Sequence, residues 1–407
     1  MGMKIKRIGM FTLVVLLILS VVGCSSNTET AEVAGSVGGG SSVIKVASVT
    51  PLSGSQAAVG ESIKNGSELA LAERVDEFKA LGFDLQFAPQ DDQADPKVGV
   101  AVAQRLIMDD DLLAVVGHWN SGVAIPSSEV YANGSLAMVS PANTANDVTD
   151  RELPNVNRIC ARDDAQGPAG ADYAFDELGI KSIFILQDKT TYGQGVADEF
   201  MNQYKSIGGE VLGYEGVTAG ESDFSAVLEM VRASGAEAVY FGGIYPEGSL
   251  ITKQLKEKGI DVKFVGPDGM DSGEVINIAG DAAIGMTYTS LAADISGTPE
   301  GRVFIDNYTK MFNKAPEAYS SYGYDAMNVT LNAIKAAIEG NGGEKPSRED
   351  VVAAARATSG FKGLATNVTF NKRGDNTEAN IYILTFDEAK YPATVTKEIP
   401  ATGYLKD

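Results

Sequence analysis

Histidine, cysteine and tryptophan are almost missing from this chain: 407 residues hold one histidine (His118), two cysteines (Cys24 and Cys160) and one tryptophan (Trp119). A single histidine excludes a His-based zinc site or a His/Cys cluster, and any Ser–His pair would have to use that one residue. Positive charge is scarce too, with 33 Lys/Arg against 54 Asp/Glu and a net charge of −21. That balance argues against nucleic acid and against adhesion to anionic lipid. There is no Walker pattern and no G-x-G-x-x-G after a strand. Past the first two dozen residues no apolar run is long enough to span a bilayer. No metal, cofactor or nucleic acid is therefore expected.

What is present begins at the N-terminus. Lys4, Lys6 and Arg7 precede an apolar run from Ile8 to Val22, broken by Gly9, Thr12 and Ser20. At 15 residues it is shorter than the roughly 20 a spanning helix needs. It has the charged and apolar regions of a secretory signal, with small Gly23 before the cut. Cys24 at that point resembles a bacterial lipobox, in which residues 1–23 are removed and the thiol is lipidated; the bland alternative is an ordinary signal with a chance cysteine. Losing the three cations of residues 1–23 takes the net charge from −21 to about −24. With Cys24 lipidated no intrachain disulfide forms, and Cys160, in the strand-like Val156–Cys160, reads as a buried inert thiol. Residues 24–42, rich in Ser, Gly and Thr, read as a flexible linker whose reach is roughly 20–25 Å. The protein is expected outside the cytoplasm, tied to a membrane that it does not cross.

The remainder is long enough for two domains. It alternates strand and helix patterns: Ile44–Val49, a helix over Ala57–Lys79, Asp84–Ala88, a helix opened by Asp95 as N-cap and Pro96 at its first position, Leu112–Val116, a helix over Ser121–Tyr131, and Leu136–Val139. Further strands are predicted at Ser182–Leu186, Glu210–Tyr214, Ala238–Phe241, Lys263–Val265 and Gly285–Tyr288, with helices between. Long helices near Arg302–Phe312 and Tyr324–Glu339, a shorter one near Arg348–Thr358, and strands at Asn367–Phe370 and Asn380–Phe386 close the chain. This spacing implies α/β architecture with parallel sheets and right-handed crossovers, and about ten strands suit two doubly wound lobes better than one sheet.

Open α/β sheets bind ligands beyond the carboxyl ends of their strands. Gly117–Gly122 follows one strand and opens a helix, so Ser121 either joins free N–H groups in an anion site or simply caps the helix. Ser140–Thr144 follows the next strand, where Thr144 offers a second hydroxyl. Tyr192 follows the strand ending at Leu186, Tyr245 the one ending at Phe241, and Asp268 the one ending at Val265.

At these loops the chain resembles the periplasmic binding proteins for leucine, isoleucine and valine, from Ile44 to about Phe386. The matching stretches include Asp91-Asp92 with Asp95-Pro96-Lys97, Gly117-His118, Ser140-Pro141-Ala142, Gln166-Gly167-Pro168, Asp188-Lys189 with Tyr192-Gly193, Thr218–Glu221 with Asp223-Phe224-Ser225, Gly242-Gly243 with Pro246-Glu247, and Gly266-Pro267. The resemblance implies two lobes joined by three chain crossings and closing over an amino acid. It divides the body into lobe 1 (43–162 plus 292–366) and lobe 2 (163–291 plus 367–407). It implies that Ser121, Thr144 and the backbone of Ala142 hold the α-carboxylate, that Asp268 binds the α-ammonium and that Tyr192 stands at the cleft edge. The chain departs from the pattern at the ligand's side chain: Val59 replaces an aromatic, Trp119 a leucine and Asn120 a cysteine whose partner aligns with Ala94, while Ile244 or Tyr245 falls near a pocket tyrosine. Trp119, Asn120 and Tyr245 are thus candidate pocket residues, with Trp119 either floor or core.

The expected function is a lipid-anchored, monomeric solute-binding protein that hands an amino acid, of the branched-chain type, to an ABC permease. A sensor that presents the same occupancy to a membrane receptor is the alternative. An enzyme such as an amidase lacks a nucleophile–base pair.

Overall fold

The computed structural model describes residues 42–292 and 294–404. The signal, Cys24 and nearly all of the linker lie outside them; Ser42, the last residue of the expected linker, already begins the first strand. Strands and helices alternate through β1 (Ser42–Thr50), α1 (Ala57–Ala80), β2 (Phe83–Asp91), α2 (Pro96–Leu106), β3 (Leu112–Gly117), α3 (Ser121–Asn133), β4 (Ala137–Ser140), α4 (Asp147–Asp150) and β5 (Val156–Arg158). These strands form a parallel sheet ordered β2-β1-β3-β4-β5. The near-continuous apolar run of β3, buried at every position, is what a strand covered on both faces requires.

The chain then enters a second sheet through α5 (Asp163–Asp172), β6 (Ser182–Gln187), α6 (Thr191–Ser206), β7 (Glu210–Gly216), α7 (Ser225–Ser234), β8 (Ala238–Gly242), α8 (Tyr245–Glu257), β9 (Lys263–Gly266), α9 (Glu274–Ala279) and β10 (Thr287–Ser290). It leaves again for α10 (Pro299–Phe312), α11 (Ala318–Gly340), α12 (Arg348–Arg356) and the short pair β11 (Phe361–Lys362) and β12 (Asn367–Val368). It returns for β13 (Asn380–Thr385) and β14 (Thr394–Pro400). The second sheet is ordered β14-β13-β10-β9-β8-β6-β7. Its five strands β6 to β10 repeat the topology of the first sheet, whereas β13 and β14 add antiparallel to one edge. The second sheet is therefore mixed, where a purely parallel one was expected.

Helices α10 and α11 pack on α1, and α11 and α12 on β3 and β4, so the segment between β10 and β13 belongs with the first sheet. Glycine makes the tightest of these contacts possible. A Cβ on Gly66 of α1 would lie 1.9 Å from the Ser320 carbonyl, and one on Gly323 of α11 would lie 2.3 Å from that of Ile63. Asp95 caps α2 as its sequence predicts, accepting from the N–H of Lys97 and of Val98. Helix α5 was not predicted. Its Gly- and Pro-containing run has weak intrinsic propensity, and packing sets it: a Cβ on Gly167 would come within 2.7 Å of the α6 backbone. Strand β14 was missed because it is a polar, exposed edge with no buried face to pattern it.

Candidate ligand site

A cavity of about 330 Å³ lies at the carboxyl ends of both sheets, where strand order reverses. Its first wall comes from the loops after β3 and β4. Asn143 stitches these loops together: its side-chain oxygen accepts from the His118 N–H (3.1 Å) and the Ser140 hydroxyl (2.7 Å), and its amide nitrogen donates to the Trp119 carbonyl (2.7 Å). Below them His118 is fully buried between the Asp92 carboxylate (2.7 Å) and the Tyr131 hydroxyl (3.2 Å). The lone histidine is thus part of the frame. Buried Arg158 fixes the second loop by donating to the carbonyls of Asn143, Thr144 and Ala145 at 3.0, 2.9 and 2.8 Å and to Asp375 at 2.8 Å.

Ser121 is the first residue of α3, buried, and lines the cavity with Ala142. Its hydroxyl oxygen accepts from the Ala145 N–H at 3.3 Å, which leaves its proton free to donate. The positive end of the α3 dipole stands behind it. Thr144 is fully buried but does not line the cavity; its hydroxyl makes no hydrogen bond of standard geometry and sits beside the Asp163 carboxyl.

The second wall is acidic. Asp188 accepts from the Thr190 N–H (2.9 Å) and hydroxyl (2.6 Å), and Thr190 caps α6 through the Gly193 N–H. This sets Tyr192 in the first turn of α6, where it donates to Asp268 Oδ1 at 2.6 Å and accepts from the Gly269 N–H at 2.9 Å. Tyr319, at the start of α11, donates to Asp268 Oδ2 at 2.7 Å. Gln166 of α5 accepts from the Asp268 N–H at 2.7 Å. Burial pushes the Asp268 carboxyl up, and the hydrogen bonds from Tyr192 and Tyr319 hold the rise back. Burial, then the Asp268 charge, push both phenols well above their ordinary range, so both keep the proton they donate. Asp163 is buried nearby, its carboxyl raised by burial first and by Asp268 second.

Between the walls Trp119 packs at 6.4 Å from Tyr245 and edge-on at 6.1 Å to Tyr319. Asn120 donates to Gln56 Oε1 at 2.8 Å, and both line the cavity. Ile244 lines it as well, whereas Tyr245 stands behind and donates from its hydroxyl across to the Ser55 carbonyl at 2.7 Å. Val59 is buried in the core. The structure therefore brings Trp119, Asn120, Ser121, Ala142, Tyr192 and Asp268 together around one space and sets Thr144 and Tyr245 outside its lining. Reading the sequence missed Tyr319 and Gln166, whose contacts span 51 and 102 residues. It also missed the frame role of Arg158, for which an arginine in an apolar strand was the available sign. Cys160 is buried and its thiol is pushed up by burial, as expected of an inert core cysteine. Among the described residues no group of three or more His, Cys, Asp or Glu is placed to hold a metal, and no helix is long and apolar enough to cross a membrane.

Two α/β lobes with a polar cavity at the facing strand ends define a two-lobed solute-binding protein. A family described as Periplasmic binding protein matches residues 43–391. The chain is 38% identical over 328 residues to the Leu/Ile/Val-binding protein homolog 2 of Brucella abortus (strain 2308), covering 80% of this chain and 85% of that one. Its structure is similar to that of the leucine binding protein LivK of Thermotoga maritima, with a TM-score of 0.79 and 27% identity over 88% of this chain and 98% of that one. The fold is shared with LivJ of Streptococcus pneumoniae, a branched-chain amino acid transporter substrate binding protein solved with isoleucine (TM-score 0.77, 24% identity, 87% and 99% covered). The chain belongs to the Leu/Ile/Val-binding protein family, which is a family of binding proteins and not of enzymes.

Proposed function

We propose that this protein captures an α-amino acid of the branched-chain type between its lobes and delivers it to an ABC importer. The observation that carries the proposal is the facing of unlike walls across one cavity: the Ser121 hydroxyl and helix N-terminus on one side, the doubly hydrogen-bonded Asp268 carboxylate on the other. A zwitterion needs donors for its carboxylate and an acid for its ammonium, and hydrogen bonds to ionised groups are about twice as strong as neutral ones. Ser121 and Ala142 take the carboxylate, with Thr144 reached on closure. Asp268 takes the ammonium, with Tyr192 holding that acid in place. Trp119, Asn120 and the Ile244–Tyr245 corner surround the side chain.

The lobes are residues 43–162 with 292–366 and residues 163–291 with 367–407. They close about three crossings, and the ligand favours the closed form by touching both. The protein acts as a monomer, and its closed surface is what the permease recognises. Cys24 carries a lipid that keeps the body at the outer face of the membrane. The names of the relatives support the ligand class and the transport role; the basic and apolar residues before Cys24 support the anchor.

Calorimetric titration of the purified protein, stripped of bound ligand, against the common amino acids tests the binding reading; no heat of binding with any of them overturns it. Metabolic labelling with a fatty-acid analogue tests the anchor. Label on the native chain and none on Cys24→Ala is expected, and an unlabelled native chain defeats it.

A further inference from the structure

Asn120 holds the N-cap position of α3, where an asparagine oxygen ordinarily accepts an N–H from the first turn. Here it makes no such bond. The side chain turns instead to the cavity, giving its amide nitrogen to Gln56 Oε1 at 2.8 Å, while its oxygen is buried with no hydrogen-bond partner. An unmet buried acceptor costs about 1–3 kcal/mol, so its retention beside a ligand cavity calls for a partner supplied by the ligand. The neighbours do not supply one: Val123 and Ile244 are apolar, the Trp119 indole serves the Tyr319 hydroxyl, and the Ser121 hydroxyl faces the carboxylate position. With the carboxylate at Ser121 and the ammonium at Asp268, the space between Gln56, Trp119, Asn120 and Ile244 is what remains for the side chain.

We infer that this end of the cavity is built for a side-chain hydroxyl, so that among amino acids of equal size the protein prefers the hydroxylated one, threonine over valine. A hydroxyl both donates and accepts, so it pairs with Asn120 whichever way the two amides are turned. Sites made to hydrogen-bond a ligand group discriminate against the isostere that lacks it, because their own polar atoms are then left unpaired. The inference rests on the amino-acid reading above. Its test is titration of the ligand-stripped protein with threonine and with valine. Threonine is expected to bind about 10-fold tighter or more, and the ratio is expected to fall to about one or reverse in Asn120→Leu. Valine binding as tightly as threonine to the native protein overturns the inference and leaves the amino-acid reading standing; failure of both, with every other amino acid, overturns that reading too. The native comparison needs no variant, so a poorly folded Asn120→Leu does not rescue the idea.

Discussion

On the first-sheet side of the cavity, the loops after β3 and β4 offer a hydroxyl, backbone and a helix end, and the nearby charge of Arg158 is spent on three carbonyls and Asp375. On the second-sheet side, a buried carboxylate is held by two phenols, with a second buried acid close behind it. Both walls stand on the same strand topology, so the difference comes from the loops alone. The first wall is a dipolar receptor for an anion, without a formal charge that a ligand must displace. The second keeps an uncompensated negative charge in a buried place, where it remains ionised at the cost of a raised pKa until a cation arrives.

The largest expected effect comes from breaking the frame of the first wall. Arg158→Ala leaves Asp375 and three carbonyls without their buried donor and should lower stability by about 3–5 kcal/mol, read from denaturant unfolding. Asp375 gives the acid limit of the same frame. Burial pushes its carboxyl up, but Arg158, Thr149 and Arg162 together bring it down to about 2 from the usual 3.8. Because the folded value is depressed, its contribution is complete above about pH 4 and is lost as pH falls toward 2. Native stability should drop through that window by about 2 kcal/mol on this account, and Arg158→Ala should show less of the drop.

Charge loss on the second wall comes next. Asp268→Ala should weaken every bound amino acid by about 100-fold whatever its side chain, since truncating one partner of a buried charge pair costs about 2–5 kcal/mol; calorimetry across several amino acids reads it. Ser121→Ala removes one donor from the first wall and should cost about 10-fold, again alike for all side chains. A loss confined to one ligand would show that Ser121 touches the side chain instead. The smallest effect belongs to the contact between the walls. Tyr245→Phe deletes only the hydrogen bond to Ser55 and should weaken binding about 3-fold to 10-fold, seen chiefly as faster release in stopped-flow fluorescence of Trp119.

The contrast between the walls was partly visible in the residues. The rule that ligands lie beyond strand ends picks out Ser121 and Asp268, because apolar strands such as Leu112–Val116 and Lys263–Val265 stop abruptly at glycine-containing loops. The support for those residues was not visible. Tyr319 reaches Asp268 from the first turn of a helix 51 residues away, and Gln166 does so from a helix formed by packing rather than propensity. Tyr245 shows a subtler limit. A one-residue uncertainty after β8 decides whether Ile244 or Tyr245 faces the cavity, and only the packing of Tyr245 on Trp119 settles it. Edge strand β14 escaped for the opposite reason: its exposed, polar residues carry no signature of burial.

The most direct test of opposed walls uses the tightest-binding amino acid, its amide, which lacks the carboxylate, and its deaminated acid, which lacks the ammonium. Each is titrated calorimetrically into the ligand-stripped native protein and into Asp268→Ala. Both analogues should bind the native protein far more weakly than the amino acid, and Asp268→Ala should weaken the amino acid and its amide while leaving the deaminated acid unchanged or tighter. If the deaminated acid loses as much affinity from Asp268→Ala as the amino acid does, Asp268 does not hold the ammonium and the account of the two walls is wrong.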